Sequence, residues 1–260
     1  MTSEGATAPV DDVTGISVSH VNRSFGSVVA LHDVDLHVSR HQRVGIVGPS
    51  GCGKSTLLAL VSGLDDPNSG DISVLGARTA KERLDRCAWM PQRDLLLPWR
   101  TVLANASLPL ENKGLSKSAA YEIVTPLFER FGLAGFENRH PYELSGGMRQ
   151  RVSFLRTLVA GKDVLLLDEP FGALDSITRA DVQQWLKSAL DEEPRTVLLV
   201  THDVEEAVLL SDEVVVMSPR PGRIVARIPI SLNHVESRRE AVTQPDFIAA
   251  RGLVLDALEA

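Results

Sequence analysis

Two cysteines in 260 residues, Cys52 and Cys87, offer neither a CxxC pair nor enough thiols for a disulfide framework, so no disulfide scaffold and no zinc site is expected. Aromatic residues make up only 5%, which disfavours base stacking along single-stranded nucleic acid. Basic residues (27) are outnumbered by acidic ones (34), and the net charge of −7 opposes non-specific attraction to a phosphate backbone. No nucleic-acid partner is expected. The longest unbroken apolar run is Leu57–Val61, whereas a spanning helix needs about 20 mostly apolar residues. The opening MTSEGATAPVDDVT has neither the basic start nor the apolar core of a signal peptide, and a cytosolic setting is expected. No internal repeat or low-complexity segment stands out.

What is present is an ordinary globular composition, 43% apolar and 23% charged. Residues 1–14 read as a loose tail. Four β-like segments follow: Ile16–Val21, Val28–Val38, Arg43–Val47 and Asp71–Leu75. The first two and the last are candidates for a small antiparallel sheet. A helix is expected from Lys54 to near Gly63, and a short strand at 87–92 that runs into a loop. From about 94 to 160 the pattern turns helical, with Val152, Leu155 and Val159 forming one stripe. Strands at 164–168, 196–201 and 213–217 then alternate with helices at 178–190 and 204–210. Short all-apolar strands separated by helices indicate a parallel sheet covered on both faces, hence an α/β fold. Residues 231–260 read as a C-terminal helical extension used for packing, with Asp246 a candidate cap.

The stretch GPSGCGKST, 48–56, carries the chemistry. It fits G-x-x-x-x-G-K-[ST] between a strand and a helix, the context that motif requires. Gly48, Pro49, Ser50, Gly51, Cys52 and Gly53 let the backbone curl so that its N–H groups face an anion at the positive end of the next helix. Lys54 places charge on the β- and γ-phosphates of a nucleoside triphosphate, Ser55 offers a hydroxyl to Mg²⁺, and Thr56 closes the motif. Beginning 114 residues after Lys54, the acidic pair Asp168–Glu169 follows VLLL. A buried strand ending in two acids puts them at the carboxyl edge of the sheet, where ligands of open α/β folds sit. Asp168 suits a water-bridged Mg²⁺, and Glu169 suits activation of the attacking water. His202, after LLVT, is a candidate for the γ-phosphate or the water. Gln92, in MPQRD, is a candidate metal ligand and γ-phosphate sensor.

A second anion-binding helix start lies at ELSGGMRQR. Ser145 is an N-cap candidate, and Gly146 and Gly147 expose the first N–H groups. One nucleotide does not need two such ends. Two copies facing head to tail would use both.

In this ordered set the chain resembles the ATP-binding cassette (ABC) ATPases, the nucleotide-binding subunits of ABC transporters. The set is Phe25, GPSGCGKST, Gln92, LSGGM, LLLDEP, GALD at 172–175 and His202, over roughly residues 16–225. The resemblance implies a P-loop NTPase (RecA-like) core with an antiparallel β subdomain and a helical subdomain inserted at about 94–158, all within 15–230. It implies ATP and Mg²⁺ as cofactors, Phe25 stacking on adenine, and Asp175 helping two subunits communicate. It also implies a second ATPase subunit, permease subunits, an indirectly engaged solute-binding protein, and a place on the cytoplasmic face of the membrane. LSGGMRQR, PQRDLLLPWRTV and DEPFGALD are most similar to the nitrate/sulfonate/taurine importer branch, whose members also carry thiamine precursors. Met148 replaces the family's usual glutamine, and Gly172 its commoner serine; neither is a phosphate or metal ligand. Leu95–Trp99 is apolar for a loop, fitting either an interface or this chain's own core.

Alternatives fit less well. A soluble ABC-type ATPase of the chromosome kind needs a long coiled coil between cradle and acids, and a translation factor carries two cassettes. A non-hydrolysing ATP sensor has no use for Glu169 and His202. A small-molecule kinase leaves LSGGM without purpose.

Overall fold

In the computed structural model, which describes residues 13–172, 174–232 and 238–260, two sheets share the chain. The strands β1 (Thr14–Phe25), β2 (Val28–Ser39) and, later, β4 (Ser69–Val74) pair antiparallel in the order β2-β1-β4. Along β2, Val34, Leu36 and Val38 are buried while Asp33, Asp35 and His37 are exposed. This is the period-2 signature of a sheet with one wet face.

The larger sheet contains β3 (Arg43–Val47), β5 (Cys87–Met90), β6 (Val164–Asp168), β7 (Thr196–Val200), β8 (Glu213–Met217) and β9 (Ile224–Pro229), in the order β5-β6-β7-β3-β8-β9. All neighbours are parallel except the edge strand β9. Alternate residues serve opposite cores. Leu165 and Leu167 face one cluster, and Val164 and Leu166 the other. Both faces are dry, so these strands are apolar throughout rather than alternating.

Helix α1 (Lys54–Ser62) joins the cluster on the side of the small sheet. α2 (Ala80–Arg86) precedes β5. On the other side pack α3 (Val102–Asn112), α4 (Lys117–Arg130), α5 (Gly146–Val159), α6 (Ser176–Glu192), α7 (Val204–Leu210), the short α8 (Arg238–Ala241) and α9 (Pro245–Glu259). Phe131 anchors α4 and α5 to α6, its ring 4.6 Å from Trp185 and 6.0 Å from Phe154.

Three local expectations need correction. Asp246 does not cap α9: Gln244 is the cap residue, Pro245 takes the first position, and Asp246 falls in the first turn. The strand β9 and the helix α2 went unread. β9 buries only Ile228, as an edge strand does, and α2 is almost wholly charged. The start of α2 was nevertheless written in a capping box, Thr79 with Glu82. Residues 1–12 of the expected tail, Ala173 of GALD and residues 233–237 lie outside the described residues. α9 is more than an appendage, because Phe247, Ala250 and Val254 are buried in the main core. Both cysteines are unpaired and buried, and burial pushes the Cys87 thiol up to about 12. Among the described residues no helix is long and apolar enough to cross a membrane.

Candidate functional site

Parallel pairing brings the carboxyl ends of β3, β5, β6 and β7 to one edge. There they surround a cleft of about 660 Å³. One wall is the loop after β3. Its last residue, Gly53, has φ of 111°, and a Cβ there would lie 2.7 Å from a Leu31 methyl, so only glycine fits. Gly53 is also the N-cap of α1 and supplies no side-chain cap, leaving the first turn's N–H groups without a side-chain acceptor. Lys54 is nearly buried, and its ammonium donates to the carbonyls of Gly48 (2.7 Å) and Pro49 (3.0 Å).

The acids stand opposite. Asp168 is 4% exposed at the end of β6. Burial raises its pKa and the Glu169 charge adds to this, while a hydrogen bond from Ser55 and the Lys54 charge oppose it. A carboxyl so placed gains from a cation. Ser55 hydroxyl, Asp168 carboxylate and the Gln92 amide oxygen are all hard oxygen donors, the set that magnesium takes. Glu169 has a left-handed φ of 49°, held by its N–H donating to the Val200 carbonyl (2.8 Å). Its two oxygens are divided. One accepts from the Gln92 amide at 2.9 Å, and the other lies 3.5 Å from Nδ1 of the exposed His202.

Phe25 lines the far end of the cleft, half exposed, with the Arg23 guanidinium 4.5 Å over its ring. Asp65 holds Arg23 at 2.7 Å. Ser50, Gly51 and Thr56 also line the cleft, whereas Cys52 turns its sulfur into the core.

Ser145, Gly146, Gly147 and Asp175 do not line this cleft. Ser145 caps α5, its hydroxyl accepting from the Met148 N–H at 3.3 Å; Ser145 and Gly146 are exposed, while Gly147 and Met148 are half-buried. Asp175 is exposed just before α6.

The loop 93–99 is pinned to α5. Arg149 donates to Asp94 at 3.0 Å, and Arg156 to the backbone carbonyls of Asp94 (2.7 Å) and Leu95 (3.0 Å). The segment is divided: Leu96 is buried in this chain's own core at 9% exposure, whereas Leu95 and Trp99 are 60% and 73% exposed.

Two residues escaped the sequence reading. Arg220, in the turn after β8, lines the cleft and donates to the Gly51 carbonyl. Glu206, one turn after His202, is buried, with one carboxyl oxygen lacking a partner among the described residues. Burial, reinforced by the Asp203 carboxylate, pushes its pKa up to about 8 against a hydrogen bond from Thr201. Nothing in SPRPGR or HDVEEA distinguishes these two from surface residues.

The ABC transporter family profile matches residues 31–172. An uncharacterized ABC transporter ATP-binding protein of Methanocaldococcus jannaschii is 41% identical over 250 residues, 96% of this chain and 90% of that protein. The taurine import ATP-binding protein TauB of Escherichia coli O157:H7 is 40% identical over 244 residues, 92% of this chain and 95% of that protein. Among solved structures, the dimeric cassette MJ0796 of a bacterial ABC transporter superposes with a TM-score of 0.78 at 29% identity, covering 83% of this chain and 99% of that one. The same cassette in a post-hydrolysis state with ADP and phosphate gives 0.76 at 30% identity over the same shares.

Proposed function

Because the chain belongs to the ABC transporter family and is an ATPase of its ATP-binding kind, we propose that it energises an importer of a small solute. We take that solute to be of the sulfonate, nitrate or thiamine-precursor class. The similarity to a taurine import ATP-binding protein supports this choice. The subunit would sit at the cytoplasmic face of the membrane as a peripheral partner of permease subunits, fed indirectly by a solute-binding protein.

ATP lies in the cleft with its base on Phe25 and its phosphates in the loop 48–56. Lys54 already faces two carbonyls there and trades them for phosphate oxygens. Ser55, Gln92 and Asp168 would hold a magnesium ion, which would neutralise charge on the phosphates. A second copy docks head to tail and brings its α5 start, Ser145 and Gly147, onto the γ-phosphate, while Asp175 lies at the seam between copies. Phosphoryl transfer needs mostly positioning and charge stabilisation. Glu169 takes a proton from water as the water oxygen attacks the γ-phosphorus. The bond to the β-phosphate oxygen breaks, giving ADP and phosphate. His202 orients the water or the phosphate beside Glu169.

The observation that carries this reading is the divided carboxylate of Glu169. One oxygen is tied to Gln92, the other is beside His202, and both overlook the cradle. Gln92 also begins the loop that presents Leu95 and Trp99. A single hydrogen bond therefore links the proton acceptor to an exposed apolar patch suited to a permease. This favours a coupled ATPase over an uncoupled one.

The test is specific activity against protein concentration. Phosphate release per chain should rise with concentration in step with dimer formed, measured by sedimentation. Full specific activity where only monomer sediments would overturn the head-to-tail arrangement.

A further inference from the structure

We propose that Arg220 is a nucleotide-binding residue that grips the phosphate chain; this rests on the ATP reading above. The turn that carries it, 218–223, connects β8 to β9, and β8 pairs with β3, whose end feeds the phosphate loop. Sheet order alone sets this turn beside the cradle.

The turn is fixed at both ends. Ser218 donates its N–H to the Arg223 carbonyl (2.9 Å) and accepts the Arg223 N–H on its hydroxyl (3.1 Å). Gly222 donates to the Ala30 carbonyl (2.9 Å), and its own carbonyl accepts from the His32 N–H (3.0 Å). A Cβ on Gly222 would collide with the Cys52 carbonyl, so the turn lies directly against the loop. The turn is thus held through Gly222 by the same strand, β2, whose beginning lines the cleft beside Phe25.

From this position the guanidinium donates through Nε (3.1 Å) and Nη2 (2.8 Å) to the Gly51 carbonyl. A guanidinium has five N–H groups in a planar fork. The other three have no protein acceptor among the described residues, and the side chain lines the cleft. Arginine with free N–H groups over a phosphate loop suits phosphate oxygens, which its fork matches in pairs.

Charge argues the same way. The cleft is lined by two basic side chains, Lys54 and Arg220, and by two acidic ones, Asp168 and Glu169. Lys54 is nearly buried and engaged by two carbonyls. Without Arg220 the lining would carry a net negative charge toward a polyanion. The bond to Gly51 also pre-positions the arginine, so little side-chain freedom is lost when phosphate arrives.

The experiment is nucleotide titration of Arg220→Ala and Arg220→Lys by calorimetry, using ADP and MgATP, alongside steady-state kinetics. Both affinities should fall about tenfold in the alanine variant and less in the lysine variant. KM for ATP should rise in parallel while kcat is kept. The slope of log Kd against log salt should become shallower in Arg220→Ala, as expected when a cation–phosphate contact is removed. An unchanged Kd overturns the proposal. A weaker Kd with an unchanged salt slope also overturns it, since that result means Arg220 only props up Gly51. Should the alanine variant fail to fold, Arg220→Gln, which can still donate to the Gly51 carbonyl without charge, reads the same two outcomes. A wild-type chain that binds no ATP would instead remove the functional reading itself.

Discussion

Helices α1 and α5 each start beside a glycine, the N-cap Gly53 in α1 and the first helical residue Gly146 in α5, and their beginnings are built in opposite ways. The α1 start is packed against the core: Lys54 is nearly buried, and Gly53 gives the helix no side-chain cap. The α5 start exposes Ser145 and Gly146 and satisfies one of its own N–H groups with the Ser145 hydroxyl. The first is a socket that is complete within one chain. The second does not line the cleft, as the proposed docking of another copy onto it requires. A helix dipole alone does not tell a resident phosphate site from an exported one; the surroundings of the first turn do.

Substitutions can break this contrast. The largest effect is expected from Glu169→Gln, which leaves both helix starts intact but removes the proposed proton acceptor. Turnover should fall by about 10²–10⁴-fold while ATP binding persists and an ATP-dependent dimer accumulates on a sizing column. Turnover near wild type would refute the assigned role. Next comes Ser145→Arg, which blocks the exported surface alone. ATP affinity of the single chain should be unchanged, and hydrolysis and dimer closure should be lost. If the variant cannot bind ATP as a monomer, the two starts are not separable in the way described.

A matched glycine pair sharpens the comparison. Gly53→Ala forces a side chain into a positive-φ position 2.7 Å from Leu31, at a cost of about 1–3 kcal/mol, and should abolish ATP binding. Gly146→Ala meets nothing closer than the tip of Arg149 at 3.8 Å, and should alter stability by less than about 0.5 kcal/mol. Thermal unfolding of the two variants reads the difference directly.

A third helix start, α7, lies beside His202 and is capped by the Asp203 carboxylate. Behind it Glu206 is held neutral, its pKa raised from 4.5 to about 8. The folded state binds this proton more tightly than the unfolded chain does. The associated stability is therefore complete below about pH 4.5 and is lost as pH rises through 8, with a slope approaching 1.4 kcal/mol per unit in between. Glu206→Gln should flatten that slope in denaturant titrations from pH 5 to 9. An unaltered slope would show that the carboxyl is not held neutral.

Legibility in the sequence followed how local the cause was. VLLLD and TVLLV could be read as interior strands because burial on two faces demands unbroken apolar residues. The cradle could be read because strand, glycines, lysine and hydroxyl are neighbours in the chain. Gln92, Asp168, Glu169 and His202 could be gathered because parallel strands end on one edge. Arg220 could not, since its nearness to Gly51 depends on β8 lying next to β3, which no short stretch encodes. Glu206 is one of two adjacent glutamates, and only the packing of α7 decides that it is buried while Glu205 pairs with Arg251 at 2.9 Å. β9 does alternate, with Ile224, Ala226 and Ile228 inward and Val225, Arg227 and Pro229 outward, but the small Ala226 and the apolar Val225 on the wet face blur that period in the sequence.

The two sulfurs lie beneath the surface, Cys52 at 1% and Cys87 at 8% exposure, and the second resists ionisation. The chain is thus its own blank for thiol labelling. A cysteine placed at an exposed position outside the proposed contacts, such as Ile123 or Ile248, would be the handle a maleimide probe meets first. Spin or dye labels there would report the gap between paired subunits through a full catalytic cycle, without prior removal of native thiols.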